Sequence, residues 1–511
     1  MRTRLLAAAL SIGVILAGLG FAPALADDVA TPIPSATTPS TVEATVAPSD
    51  TPTPTPSDTP SPTPTLAPTP TPIAVTGAIA TKWASLGGAA GILGAATAAS
   101  TCYGSPCRQE FVGGMIFDLG WAGTAAVFRT VGIIGPHWFA AGAMNSGLGY
   151  PTGDEKSAAG GAFQQFETTD GQGAVMQTWR STYGFIPVAT DRDVGYEWAA
   201  RGAVAGLGYP IGRRVCGLRG GGCSQEFDGG LILATHSTSG VVKGGIRAKW
   251  QSLAAQNGYL GYPTYAEDCF GAVRTCVQVF QGGTMIWSAK TGAVVVHGGI
   301  YSRYWADNFL QGYLGLPLKD EVCHLQNGGC MQMFQHGRVM WSPKTGAHTV
   351  RGGVDTRYQA DGAQNSFLQY PVTEEECGIP GGGCKQSYQG GDILWSPKSG
   401  AHTLHGAIRA AYDGAMPGWI GPEGYPTGEE VCGLAQGGCY QQFQVGRYYW
   451  SPKVGLAKLI WGGMLSKWNG LGGPRSSFGY PTWNEVCANG YCEQQFQYGR
   501  LSWSAPGAIP W

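Results

Sequence analysis

Residues 298–351 read GGIYSRYWADNFLQGYLGLPLKDEVCHLQNGGCMQMFQHGRVMWSPKTGAHTVR, and variants of this unit recur eight times between Gly77 and the C-terminus, at a step of about 54 residues. Its opening sets Ile300 four positions before Tyr304, which puts both on one face of a short helix. The same pair stands at Ile79 and Trp83, Ile134 and Trp138, Val194 and Trp198, Ile246 and Trp250, Val354 and Tyr358, Ile408 and Tyr412, and Met464 and Trp468. A Gly-rich loop then ends in a rigid turn, Gly-Leu-Pro at Pro317 and Gly-Tyr-Pro at Pro151, Pro210, Pro263, Pro371, Pro426 and Pro481, with Ala96 in the place of the proline in the first copy. A cysteine loop leads into Gln-x-Phe-x-x-Gly-x-x-x-Trp-Ser, as in Gln441 to Ser451, then a Pro-Lys-x-Gly turn and an alternating run such as His402-Thr403-Leu404. Those last pieces predict short hairpin strands.

A period of this length marks units that cannot bury their apolar faces alone and must pack on their neighbours. The expected fold is therefore a β-rich repeat protein with a short helix per repeat, the copies spanning about 77–131, 132–191, 192–243, 244–297, 298–351, 352–405, 406–461 and 462–511. Residues 73–75, Ile-Ala-Val, are in register with Val294-Val295-Val296, while the last copy stops at Trp511 close to the end of its final strand. A spare strand at one end and a shortened one at the other predict a closed, propeller-like or toroidal array, with an open superhelix as the alternative.

The N-terminus carries Arg2 and Arg4, an apolar run from Leu5 to Leu19, and Ala24-Leu25-Ala26 before Asp27. This order is that of a secretory signal cut after Ala26, giving a signal peptide over 1–26; a membrane anchor is the alternative for so short a run. Residues 27–72 are Thr, Pro, Ser and Ala with almost nothing to bury, an extended spacer whose hydroxyls could carry sugars. No later stretch is apolar enough to span a bilayer. Loss of Arg2 and Arg4 with the signal takes the formal charge from -1 to -3, and only 13% of residues are charged. So weak a charge argues against nucleic acid or an anionic membrane as partner, since both are held by clustered Lys and Arg.

Fourteen cysteines in an exported chain read as disulfides. The pairs are Cys102 and Cys107, Cys216 and Cys223, Cys269 and Cys276, Cys323 and Cys330, Cys377 and Cys384, Cys432 and Cys439, and Cys487 and Cys492. None has the spacing of a zinc knuckle, so no metal and no cofactor is expected. Copy two has Ser157 and Ala162 where the others have cysteines, a joint loss expected of bonded partners. Each bond would close a loop of six or eight residues, stabilising by roughly 2 kcal/mol in the chain-entropy model.

Leu-Gly-Tyr-Pro-Thr, a downstream Gly-Gly, Gln-x-Phe-x-x-Gly and Trp-Ser-x-x-x-Gly-Ala at this step together resemble the LGFP repeat of actinobacterial cell-envelope proteins, over roughly Gly77 to Trp511. The third letter of the motif is usually Tyr here. In that family the repeat accompanies mycoloyltransferases, amidases and similar envelope enzymes. The resemblance implies binding to the cell wall, to its arabinogalactan or peptidoglycan. No enzyme domain accompanies the repeats, and the cysteine pairs go beyond the core motif.

Catalytic signatures are missing from the sequence: no Gly-x-Ser-x-Gly elbow, no His-Glu-x-x-His, no phosphate loop and no calcium loop. Histidines are scattered, with His297, His348 and His405 in or just after the closing strands of repeats, where surface or strand-edge roles are expected. Two recurrent residue types remain as ligand-binding candidates. An acid stands four positions after the turn proline at Glu155, Glu267, Glu321, Glu375, Glu430 and Glu485, with Arg214 as the exception; each could accept sugar hydroxyls or instead pin its own loop. Trp287, Trp341, Trp395, Trp450 and Trp503 stand seven residues after the Gln-x-Phe aromatic and offer flat rings to the apolar face of a sugar, whereas Asp118 and Ala234 replace them in copies one and three. The function expected is that of a secreted, wall-associated, non-catalytic protein with cell-wall polysaccharide as partner. The rivals are a wall hydrolase with carboxylates assembled between repeats and a scaffold or adhesin for envelope proteins.

Overall fold

The computed structural model describes residues 71–504 apart from 103, 105, 170–172, 191–192, 272–274 and 416–420. The chain divides into two units, Met1–Pro70 and Thr71–Trp511, and all described residues belong to the second. The signal segment, nearly all of the spacer and the final residues to Trp511 lie outside them.

In the copy quoted above, the paired Ile300 and Tyr304 fall on the helix Gly298–Ala306, and both are buried. The helix stops at Asn308, whose φ of 71° is the left-handed conformation that ends helices. Four strands follow, Val322–Leu325, Gly329–Phe334, Gly337–Ser342 and Gly346–Val350, each antiparallel to the next. The turn proline is fastened to this sheet by a bridge from Pro317 to Phe334, and Leu318 donates its N–H to the Met333 carbonyl at 2.9 Å. Among the described residues there are eight such sheets, six of four strands, one of five and one of three, all antiparallel; the strands are joined in chain order except in the five-stranded sheet, where Tyr150–Pro151 and Lys156–Ala158 both pair with Gly161–Glu167.

Each of seven apolar cores lies between one sheet and the next, with a helix in the seam. The fourth joins Ile286 and Val296 of one sheet, Ile300 and Tyr304 of the helix, and Leu314, Cys330, Phe334 and Val339 of the following copy. Burying a side chain the size of Ile300 stabilises by about 2 kcal/mol, and an eighth core, of Ile79, Leu93, Phe111, Ile116 and Ala126, lies within copy one. The helix aromatic is Trp or Tyr in every copy because it carries a donor at its tip. Trp138, Trp250 and Trp468 donate to the carbonyls of Gly149, Gly261 and Gly479 at 2.9, 2.9 and 3.2 Å, and the Tyr304 hydroxyl donates to Gly315 at 2.7 Å. Phenylalanine would fill the seam but leave that turn carbonyl without a partner.

A buried glutamine ties six of the seven junctions, while Gln225, among the described residues, reaches Gly212 of its own turn at 3.0 Å. The Gln332 amide donates to Val295 of the preceding sheet at 2.8 Å and to Lys319 of its own turn at 2.9 Å. Gln164, Gln278, Gln386, Gln441 and Gln494 repeat this double contact. Gln109 does so too, with Ala74 supplying the first carbonyl at 3.0 Å. The strand expected at residues 73–75 is not formed: the segment lies outside the sheets, and the Ala74 carbonyl is engaged by a side chain rather than by a ladder. The sheet of Val486–Ala488, Tyr491–Phe496 and Gly499–Ser504 has three strands. Among the described residues no helix is long and apolar enough to cross a membrane.

Candidate functional site

The seven cysteine pairs are bonded as the spacing predicts. In the fourth copy Cys269 and Cys276 are direct partners across the ladder, and Trp287 faces Cys276 from the other side. Cys330, Cys384, Cys439 and Cys492 likewise face Trp341, Trp395, Trp450 and Trp503. All five indoles are half-buried. Trp341 lies over the second glycine of its own helix: a Cβ on Gly299 would come within 2.6 Å of the ring, and Gly245, Gly353 and Gly463 stand in the same relation to Trp287, Trp395 and Trp503. Where Ala407 takes that glycine's place, Trp450 instead donates its N–H to Gly455 at 3.2 Å. A Gly-Gly helix start is thus the room an indole needs.

A sixth indole was missed by the sequence reading. Trp179 faces Ala162, the residue in the cysteine's place, because the hairpin of Gly161–Glu167 and Ala174–Arg180 is longer and carries the ring out of the seven-residue spacing. A shallow concavity of about 360 Å³ opens there, lined by Ile133, residues 157–161 and Trp179. A second, of about 320 Å³, lies beside Asp193, Tyr196 and residues 234–239, where Ala234 replaces the indole.

The recurrent glutamates gather at the starts of the helices. The N-cap residues of the helices Gly244–Ser252, Gly298–Ala306, Gly352–Ala360 and Gly462–Gly470 give no side-chain cap, and the acid after the turn proline lies at the helix start instead. Glu155 accepts the N–H groups of Ile133, Ile134 and Gly135 at 2.7, 3.0 and 3.3 Å. Elsewhere the acid pairs with a basic side chain just ahead of the helix: Glu267 with Lys243 at 3.6 Å, Glu321 with His297 at 3.3 Å, Glu375 with Arg351 at 2.6 Å and Glu430 with His405 at 2.9 Å. A carboxylate at a helix N-terminus also meets the positive end of the helix dipole. Arg214, the exception, pairs with Asp193 at its helix start, so the charges are exchanged and the contact kept. Glu485 meets no cation; burial pushes its carboxyl up to about 7, opposed by the Trp461 N–H it accepts at 3.4 Å. Five of these acids lie beside cysteine sulfurs, and as disulfides those sulfurs offer no thiolate to a metal.

The preceding residue was also missed. Asp154, Asp320, Glu374 and Glu429 stand three positions after the turn proline and clasp Lys82, Lys249, Arg303 and Arg357 on the helix of the preceding copy. The same acids accept backbone N–H groups from Ala126, Val295, Thr349 and Thr403 of the preceding sheet. His348 and His402 join two of these clasps, at 2.9 Å from Glu374 and 2.7 Å from Glu429. The hydrogen bond to the carboxylate holds each imidazole above its usual range, against the effect of burial. These two histidines are therefore fastened into repeat junctions and are not free strand-edge residues.

A family model described as the LGFP repeat matches residues 207–258, 260–312, 314–366, 368–416 and 424–476, together just over half of the chain. No curated protein matches it. Among solved structures, PorZ, a surface component of the type-IX secretion system of Porphyromonas gingivalis, is similar over 76% of this chain and 51% of its own, at 10% identity and a TM-score of 0.12. The extracellular domain of a one-component system of B. thetaiotaomicron is similar over 80% of this chain and 52% of its own, at 7% identity and a TM-score of 0.11. This chain spans about half the length of those two, and likeness of that degree carries no argument about fold or function.

Proposed function

The chain belongs to the LGFP repeat family, and from that premise we propose that it is a secreted, cell-wall-associated protein that holds envelope polysaccharide, arabinogalactan or peptidoglycan, through repeated weak sites without acting on it chemically. The observation that supports this best is the recurrence of one half-buried indole, backed by a helix start and flanked by a disulfide, in successive copies. A flat ring seated on rigid backbone is a stacking surface of low entropic cost, and linked weak sites raise avidity far above any one of them. In this reading Trp287, Trp341, Trp395, Trp450 and Trp503 touch the sugar, while Glu267, Glu321, Glu375, Glu430 and Glu485 hold the helix starts on which the rings rest. Seven disulfides suit an oxidising, extracellular setting. The array in this reading is of eight LGFP-type repeats, closed and propeller-like or toroidal, with an open superhelix as the alternative.

Retention on purified cell wall, with and without mild acid removal of arabinogalactan, tests the reading. Retention lost with the arabinogalactan assigns that polymer, and retention kept assigns peptidoglycan. No retention on either fraction removes the glycan role, and release of soluble sugar or peptide replaces it with a hydrolase. Retention only on wall that still carries protein replaces it with a scaffold for envelope proteins. Trp→Ala at each of the five positions should weaken retention; unchanged retention with a lowered melting temperature would make those rings part of the fold alone.

A further inference from the structure

Three successive junctions carry a second set of aromatic rings. Tyr259, Tyr313 and Phe367 each stand four residues before a turn proline, and they are 54%, 40% and 46% exposed. Each lies against the residue just ahead of the next helix. The Tyr259 and His297 rings are 5.3 Å apart, the Arg351 guanidinium lies 4.0 Å from the centre of the Tyr313 ring, and Phe367 and His405 are 4.5 Å apart. Those three residues are the ones paired with Glu321, Glu375 and Glu430, so each junction presents a ring, a basic side chain and a carboxylate in contact one after the other.

We propose that these three rings are stacking subsites for successive segments of one neutral polysaccharide chain. The assignment rests on the wall-polysaccharide reading above but places the contact on residues other than the indoles. Each ring packs against its basic neighbour and stays partly exposed, which leaves ring surface to receive the apolar face of a sugar. His297, Arg351 and His405 are about one-third exposed, so their outer N–H groups can reach hydroxyls beside the ring. Each of them faces a carboxylate that is about one-tenth exposed, so none offers an unpartnered cation to an anionic ligand. Three equivalent sites at equal steps along the chain match a polymer that repeats, whereas the surface of a folded protein does not repeat. Gly206 stands at the corresponding place on one side of the row and Pro422 on the other, which bounds it at three.

Titration calorimetry of the full exported chain, with arabinogalactan freed from peptidoglycan and with size-graded fragments of it, tests this. Tyr259→Ala, Tyr313→Ala and Phe367→Ala should each weaken binding about three- to tenfold, and the triple variant by roughly two orders of magnitude as the linked sites are lost. Affinity should climb with fragment length until three sites are spanned. Leucine at all three positions, which keeps apolar bulk without a flat ring, should bind as weakly as the triple alanine variant while melting as the parent does, and Tyr259→Phe should bind as the parent. A triple variant that binds like the parent, while the Trp287, Trp341 and Trp395 variants do not, overturns the assignment and leaves the wall-binding reading in place. A parent that binds no wall glycan overturns both. Preference for acidic peptidoglycan fragments overturns the neutral polymer.

Discussion

Gly329, Gly383 and Gly438 each lie beneath the tyrosine of the following copy's turn, and a Cβ on any of them would overlap the ring of Tyr370, Tyr425 or Tyr480. Those hydroxyls donate to Gln326, Pro380 and Ala435 at 2.6, 2.5 and 2.5 Å, so the turn of one copy holds the cysteine loop of the copy before it. Where the glycine becomes Thr275, the following turn carries Leu316 instead of tyrosine. The same exchange is seen in charge. Arg338 pairs with Asp355 at one junction, and one step later the buried Asp392 pairs with Arg409. Gly329→Thr alone should therefore cost about 1–3 kcal/mol through overpacking, and adding Tyr370→Leu should return most of it. Urea midpoints of the two variants decide this, and a harmless single substitution would refute the contact. Such pairings are invisible in one copy; they become legible when copies are set beside one another, because the partner lies more than forty residues away and only the exchange of both members marks it.

A disulfide here spans the first two strands of a sheet, and copy two shows what remains without one. Ser157 still faces Ala162 across the ladder, and Trp138 still donates to Gly149. Copying that arrangement as Cys323→Ser with Cys330→Ala should keep the fold and cost roughly 2 kcal/mol, the closure entropy of an eight-residue loop, read from the shift of the urea midpoint. The junction histidines give a second prediction. His348, His402 and His405 bind protons more tightly folded than unfolded, because Glu374, Glu429 and Glu430 accept from them, and burial does the same for Glu485. The imidazole contribution is complete below the unfolded value of 6.5 and is lost as pH rises through the raised folded values; that of Glu485 is lost between 4.5 and about 7. Both act in one direction, so the melting temperature should fall from pH 5 to pH 8, and His348→Asn with His402→Asn should flatten the fall. A melting temperature that rises over this range would contradict the assignment. Helices and hairpins were readable from spacing because their contacts are local, whereas the carboxylate partners were not, since Arg303 and Glu374 belong to different copies.

Stability along the chain is a sum over junctions, built from seam helices, bridging glutamines and, at four of them, a clasp between copies. Deleting the chain through Val75 would remove the carbonyl that Ala74 offers Gln109 and should cost about 1–3 kcal/mol. Hydrogen exchange reports where the loss is felt. In an open array the faster exchange stays within the first helix and sheet, residues 77–128; in a closed array it spreads to the last sheet, residues 486–504. By itself the sequence determined what is local: the helix pair four residues apart, the turn at the proline, the hairpin behind Gln-x-Phe, and the seven bonds between cysteines five or seven positions apart. Only the tertiary structure decided what those glutamines, glutamates and indoles touch. The reason is physical: period sets which face a side chain leaves from, but its partner is set by how one sheet lies on the next, and Gln332 finds Val295 thirty-seven residues back through that packing alone.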